Sequence, residues 1–260
     1  MRIARFAGDD DPRFGVIGDD NGVPTIAVLN GDPLYAGLNL SGQKIPLADV
    51  RLLAPVIPRS KVVCVGKNYA KHAAEMGGEV PEEPLIFLKP NTSVIGPGEP
   101  IFYPEQSSDV HYEGELAVVI GRICRDVSAE DAAKVVFGYT VANDVTARDL
   151  QAKDGQWARA KGFDTFCPLG PWIETDFDPA DVRVTTRLGD DLKQDGRTSD
   201  MVFTVPDVIA YVSSFMTLLP GDVILTGTPD GVGPMVVGDE VSVSVEGIGT
   251  LTNTVVSRND

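Results

Sequence analysis

His111-Tyr112-Glu113-Gly114-Glu115-Leu116-Ala117-Val118-Val119-Ile120 is the stretch on which the reading of the chain turns. As an extended strand it alternates faces, with Glu113 and Glu115 on one side and Leu116, Val118 and Ile120 on the other. One strand would then carry both core and chemistry. Neighbouring carboxylates repel each other and lose hydration when partly buried, so the pair makes sense if one takes a proton or a cation lies between them. The cation is the favoured reading. Oxygen donors alone suit a hard divalent ion such as Mg2+ or Mn2+ better than zinc, which usually recruits His or Cys as well. The alternative is that both glutamates face water on a half-exposed strand, because alternation of polar and apolar residues is ordinary in sheets.

Outward from this segment the chain reads as strand after strand. Residues 1–57 form a candidate small β domain of short strands (Arg2 to Phe6, Phe14 to Ile17, Thr25 to Leu29) broken by Gly, Asp and Asn turns. Pro55 and Pro58 mark its boundary with a larger domain over 58–260. There, Lys61 to Val65 is a β-branched run suited to a buried strand, and a short helix is predicted from Asn68 to Met76, ending at Gly77-Gly78, a candidate hinge. Strands follow at Leu85 to Leu88, Val110 to Ile120 and Phe137 to Val145. Ser128 with Asp131 predicts a helix between the last two. Thr204, Pro206 and Asp207 open another over Pro206 to Met216. Val223 to Thr226, Glu240 to Val245 and Thr250 to Val256 are further strands, the last two joined as a hairpin through Glu246-Gly247-Ile248-Gly249. Strands greatly outnumber helices without alternating regularly with them, which gives an α+β, mostly β architecture rather than a doubly wound sheet.

Bulk properties exclude several functions. A chain of 260 residues with a formal charge of -16 needs no disulfides to fold, and it repels nucleic acid and anionic membranes. An anionic substrate would need a locally positive pocket. Cys64, Cys124 and Cys167 are odd in number, widely separated and free of CxxC spacing, as expected for buried reduced thiols in a cytoplasmic protein, and no zinc cluster fits them. Met1-Arg2-Ile3-Ala4-Arg5 leads within a few residues into acidic sequence with no apolar core for a signal peptide, and no apolar run approaches the ~20 residues of a membrane span. A soluble protein is expected.

Several residues carry possible chemistry. His72 and Glu75 are spaced i, i+3 on the predicted helix; a carboxylate partner would fix the imidazole tautomer and raise the basicity of the other nitrogen, although a solvated surface pair has the same spacing. His111 shares a strand face with the two glutamates and could be a ligand, a hydrogen-bond donor to one, or a surface residue. Asp144 ends a strand and enters a polar turn with Arg148, Asp149 and Gln151, where a scaffold can hold functional groups; Asp144 or Asp149 could equally cap a helix. Lys161 sits among aromatic and small residues, where partial burial would lower its pKa and aim it at an anion, unless it snorkels to the surface. Thr226-Gly227-Thr228-Pro229-Asp230-Gly231-Val232-Gly233 lacks the Lys and the following helix of a phosphate loop, so nucleotide binding is not expected. It could still present backbone amides and the Thr228 hydroxyl to a carboxylate.

The order of these motifs is more specific than any one of them. Cys64-Val65-Gly66-Lys67-Asn68-Tyr69 leading to His72 and Glu75, then Phe87-Leu88-Lys89-Pro90, Tyr112 to Leu116, Asn143 to Asp149, Lys161 to Gly170 and Gly227 to Gly233 together resemble the fumarylacetoacetate hydrolase family from about residue 60 onward. The resemblance implies a mixed β-roll, or pseudo-barrel, with few helices, usually a homodimer, with Mg2+ or Mn2+ held by Glu113, Glu115 and Asp144. It also implies a His72–Glu75 dyad on a mobile lid helix and a catalytic Lys161. Gln151 and Thr228 match positions that contact substrate in relatives, and Lys89, Arg148 and Gly227 join them as candidate substrate contacts. Fumarylacetoacetate hydrolase itself has a further aspartate ligand upstream of its catalytic His, where this chain reads Cys64-Val65-Gly66. The pattern is closer to the smaller branch of acylpyruvases, oxaloacetate decarboxylases and isomerases of homoprotocatechuate breakdown, and residues 1–57 look like the N-terminal extension of bacterial isomerase-like members. The implied function is metal-dependent chemistry on a 2-oxo or 2-enol carboxylate through a metal-stabilised enolate, foremost isomerisation of 2-hydroxyhepta-2,4-diene-1,7-dioate. Acylpyruvate or fumarylacetoacetate-type C–C hydrolysis and oxaloacetate decarboxylation pass through the same enolate. From another class, a non-catalytic carboxylate-binding scaffold would keep the fold but need no dyad, and a phosphatase or nuclease would need a basic cluster that is lacking.

Overall fold

Gly114–Ile120 is buried at every position, so its side chains feed two cores and neither face is wet. Leu116, Val118 and Ile120 pack with Val63, Val65, Ile224 and the helical Val208 and Val212. Ala117 and Val119 point the other way, against Val62, Cys64, Leu169 and Val223. The continuous apolar run after Glu115 is what covering on both faces requires, and the half-exposed alternative fails.

The structure is a computed structural model that describes residues 1–8 and 11–258. Its largest sheet has twelve strands, ten of them in the spatial order Leu40–Pro46, Val23–Leu29, Arg13–Asp20, Arg2–Phe6, Cys167–Glu174, Val136–Asn143, Gly114–Ile120, Val223–Leu225, Val62–Gly66 and Leu85–Lys89. Pairing along this path is antiparallel except between Val223–Leu225 and Val62–Gly66. The N-terminal strands continue the sheet directly, with Arg2 opposite Glu174 and Ile3 opposite Ile173. Two further sheets hold three and five strands, and among the described residues none of the three closes into a barrel. The mostly β, α+β expectation therefore holds, with open sheets.

Two expectations need correction. The predicted strand Val110 to Ile120 is two strands in different sheets: Val110–Tyr112 pairs with Thr146–Ala147 and Gly233–Met235, and Glu113 lies in the break. The chain changes sheets here because a third strand presses on it, and a Cβ on Gly114 would lie 2.1 Å from Thr186 Oγ1. Ser128 does cap, accepting a hydrogen bond from the Asp131 amide at 3.3 Å, but the element it opens is the 3-10 turn Ala129–Lys134. Its six residues keep the tighter i→i+3 pattern, ended by the Val135 amide donating to the Ala132 carbonyl, and lead into the strand Val136–Asn143.

The helix Val205–Phe215 forms as expected, with Thr204 and Asp207 in a reciprocal capping box and Val205, Val208, Ile209 and Val212 buried. Thr204→Ala removes the acceptor for the Asp207 amide, so it should lower stability by about 1 kcal/mol, read as an earlier urea midpoint with an unchanged slope. Asn68 to Met76 narrows to the helix Ala70–Glu75, stopped by Gly77 at φ 68. All three cysteines are buried and unbridged. Among the described residues no helix is long and apolar enough to cross a membrane.

Candidate active site

The pairing register assembles the acids. Gly114 lies opposite Asn143 and Glu115 opposite Ala142, so Asp144, one residue past its strand, comes alongside Glu113 in the break. Backbone bonds fix this: the Asp144 amide donates to the Glu113 carbonyl at 2.8 Å, and the Glu113 amide donates to Asn143 Oδ1 at 2.9 Å. One carboxylate oxygen from each of Glu113, Glu115 and Asp144 then lies within 4.8 Å of the others, and all three residues are buried.

The charges around them are unevenly distributed. Lys161 Nζ bridges Glu113 Oε2 at 2.7 Å and Asp144 Oδ2 at 2.6 Å. Lys89 Nζ takes Asp144 Oδ1 at 2.6 Å and the Val145 carbonyl at 3.0 Å. Arg148 donates to Glu113 Oε1 and, at 2.7 Å, to Gln151 Oε1. Glu115 is held differently, by the Gly227 amide at 2.6 Å, and among the described residues no cation pairs with it. Burial, reinforced by Asp144 and Glu113, pushes the Glu115 carboxyl well above the usual carboxylate range. Burial also works to raise Glu113, but Lys161, Arg148 and His72 outweigh it and hold that carboxyl low. Lys161 corrects an expectation: burial does act to lower it, yet Asp144 and Glu113 overcome this and its ammonium is stabilised.

A hard divalent cation fits this donor set. Three buried oxygen donors converge, no sulfur or imidazole is among them, and the two lysines and the arginine are all taken up by Glu113 and Asp144, leaving Glu115 without a contacting cation among the described residues.

His72 Nδ1 lies 3.1 Å from Glu75 Oε2, and the imidazole is buried rather than solvated. The other Glu75 oxygen accepts the Gly231 amide at 3.0 Å, so the short helix is clamped onto the glycine-rich loop. The register of that loop is set at Gly227, whose φ of 99 and close approach to Asn68 leave no room for a side chain: a Cβ would stand 2.7 Å from Asn68 Cβ.

These groups share a cleft of about 310 Å³ lined by Glu113, Glu115, Asp144, His72, Arg148 and Lys161, with Gln151 and Thr228 beside them. Trp157 forms one wall, edge-on to Phe87 at 5.2 Å. The Thr228 hydroxyl is already engaged, donating to the Gly114 carbonyl at 2.9 Å and accepting from Gln194 at 2.7 Å. Four of the candidate site residues stand apart from the cleft lining, and of these Glu75 is exposed and meets it only through His72. Lys89 is wholly turned to Asp144 and Val145, Gly227 reaches the site only through its amide, and His111 pairs with Asp109 at 2.8 Å in the three-stranded sheet.

Gln194, Asn68 and Lys67 were not legible as site residues. Gln194 is buried and spans the acids and the loop, accepting from Gly114 and Thr186 and donating to Thr228 and Pro229. Asn68 anchors the approach to the helix, donating to the Thr226 carbonyl at 2.7 Å and accepting the Phe203 amide at 2.8 Å. Lys67 lines the cleft in a left-handed backbone conformation with φ 57. Lys67 and Asn68 lie in the Cys64-to-Tyr69 motif without a role that the motif assigns, and no local pattern marks Gln194.

Residues 61–256 match the family described as fumarylacetoacetate (FAA) hydrolase, C-terminal, and residues 1–55 match one described as Rv2993c-like, N-terminal. The solved structure of 2-hydroxyhepta-2,4-diene-1,7-dioate isomerase from Mycobacterium marinum is 52% identical over 100% of both chains, with a TM-score of 0.91. Maleylpyruvate hydrolase from Sphingobium sp. SYK-6, solved in complex with manganese(II) ion and pyruvate, is 36% identical over 99% of each chain, with a TM-score of 0.81. Oxaloacetate tautomerase FAHD2A, mitochondrial, of Homo sapiens is 46% identical over 224 residues, which are 82% of this chain and 71% of that protein.

Proposed function

The chain belongs to the fumarylacetoacetate hydrolase family, and we propose that within it the protein is a divalent-metal-dependent enzyme of 2-oxo and 2-enol carboxylates, an isomerase of dienol diacids such as 2-hydroxyhepta-2,4-diene-1,7-dioate. The observation that carries this reading is the buried Glu113–Glu115–Asp144 trio sharing one cleft with the buried His72 imidazole, which is hydrogen-bonded to the exposed Glu75. A Mg2+ or Mn2+ ion held by the trio would supply Lewis acidity, polarising the C2 oxygen of the substrate.

Isomerisation of such a diene takes a proton from the 2-hydroxyl and delivers one to C5, leaving a 2-oxo-3-ene. His72 is placed to carry it. Glu75 accepts the Nδ1 proton, which leaves Nε2 as the basic nitrogen for the cleft. Lys161 keeps a fixed positive charge beside the acids, so negative charge developing on the substrate meets a dipole that need not reorganise. Arg148 and Gln151, already paired with each other, offer donors to the C1 carboxylate. The Glu75–Gly231 bond closes the helix over the cleft and keeps bulk water from competing for the proton.

A second reading, enol–keto tautomerisation of oxaloacetate, draws on the 46% identity to the human tautomerase and uses the same proton carrier. A carboxylate-binding scaffold would have no use for a buried imidazole oriented by a carboxylate.

The test is a panel of 2-hydroxyhepta-2,4-diene-1,7-dioate, enol-oxaloacetate and an acylpyruvate, followed by ultraviolet absorbance with Mn2+ or EDTA. The diene should be converted at least ~100-fold faster with Mn2+, a difference of about 2.7 kcal/mol in barrier. Turnover of oxaloacetate alone would transfer the assignment to the tautomerase reading. No turnover of any compound under either condition would refute both.

A further inference from the structure

We infer that Lys67 binds the far carboxylate of a dicarboxylate substrate and makes the enzyme selective for diacids over 2-oxo monoacids; the inference rests on the function proposed above. Charge accounting in the cleft leads to it. Lys161 is shared by Glu113 and Asp144, Lys89 is bound to Asp144, and Arg148 is bound to Glu113. Lys67 lines the same cleft, is half-buried, and among the described residues forms no ion pair or side-chain hydrogen bond. In a chain of charge -16 a cation kept clear of carboxylates at a cleft wall is a reserved anion site.

The backbone reinforces the point. Lys67 has φ 57, a region that residues bearing a Cβ seldom enter, and such strain persists where the surrounding structure imposes it at a functional position. Its ammonium extends over the turn that ends the His72 helix, since a Cβ added to Gly78 would lie 2.5 Å from Nζ. Lys67 therefore stands where the chain enters that helix and reaches the turn where it leaves. Arg148 is bonded to Gln151 and to Glu113 of the trio, where the 2-oxo carboxylate head belongs, whereas Lys67 reaches the Gly77-Gly78 turn and bonds none of these groups. Of the cleft's lysines and arginine it alone is unpaired among the described residues and left for the tail of an extended substrate.

2-Oxoadipate and 2-oxohexanoate differ only in a terminal carboxylate against a methyl group, so the ratio of their dissociation constants isolates that group. Calorimetry on the Mn2+-loaded wild type should favour the diacid at least ~10-fold, the size of one charge-assisted hydrogen bond. Lys67→Met should reduce the ratio to about threefold or less, and Lys67→Arg should retain it. Lys67→Gly adopts φ 57 without strain, so the same loss of selectivity there separates the missing charge from any folding defect. A ratio that stays high in Lys67→Met and Lys67→Gly, or a wild type that binds both acids equally, overturns the inference while leaving the proposed function in place if the diene diacid is turned over. A wild type that binds neither acid and converts no panel compound overturns both.

Discussion

Glu115→Gln should abolish metal-dependent turnover and at the same time stabilise the metal-free protein. Of the three acids, Glu115 alone lacks a cationic partner, and its carboxyl is raised by burial and by Asp144 and Glu113. Glutamine keeps the oxygen that accepts the Gly227 amide and removes the ionisable group, so the cluster loses the one acid that no cation contacts without losing shape. The gain should be about 1–3 kcal/mol at neutral pH, the usual cost of a polar group buried without full compensation. Its pH dependence follows from the sign of the shift. An acid whose folded value lies above its unfolded value penalises the fold at every pH above the unfolded value, near 4.3, and the penalty fades below it. The stabilisation should therefore be present at pH 7 and vanish toward pH 4. Saturating Mn2+ should stabilise the wild type by about 2.7 kcal/mol at a hundred times its Kd and leave Glu115→Gln unmoved. Thermal unfolding in EDTA and in Mn2+ decides it: a variant less stable than wild type in EDTA, or one still stabilised by Mn2+, would remove Glu115 from the metal site.

The two variants with the largest expected effects both sit where sequence reading stopped. Glu113, Glu115 and Asp144 could be picked out because each ends or interrupts an apolar run, and the order of the surrounding motifs tied them together. Their environment could not. Whether Glu113 sits in a strand or a break depends on Thr186 and Gln194, more than seventy residues away, pressing on Gly114. Several strands of the large and the five-stranded sheet are not legible in the sequence, two of them for opposite reasons. Cys167–Glu174 contains Pro168 and Pro171, which argue against an interior strand, yet Arg2–Phe6 and Val136–Asn143 flank it on both sides. Asp191–Arg197 is polar almost throughout, and only Gln194 and Gly196 turn inward, so hydrophobic alternation had nothing to act on. The same limit applies to Lys67, Lys89 and Lys161. A lysine in a sequence carries no record of which carboxylate it will meet, and here Lys161 meets two, Lys89 one and Lys67 none.

Lys89→Met should destabilise the protein by about 3–5 kcal/mol, the cost of stripping one partner from a buried ion pair. The side chain is 0% exposed, and methionine retains most of its apolar stem, so packing changes little and the charge accounts for the effect. Two acceptors are stranded at once: Asp144 Oδ1 at 2.6 Å and the Val145 carbonyl at 3.0 Å. Lys161 cannot make up the loss, because it is already divided between Asp144 and Glu113. The contrast with Glu115→Gln follows from the same accounting. Removing an anion from this cluster relieves repulsion, whereas removing a cation adds to it, so two uncharged near-isosteres a few ångströms apart should shift stability in opposite directions. Combined, they should not be additive: with Glu115 neutral, Asp144 has one fewer negative neighbour, and the cost of Lys89→Met should fall by about 1 kcal/mol, as coupled sites in one network do. Chemical denaturation of the four proteins in EDTA measures the cycle. A Lys89→Met protein within 1 kcal/mol of wild type would mean that the buried acids are balanced by something other than their lysines, and the contrast drawn with Glu115, the acid that no cation contacts, would lose its basis.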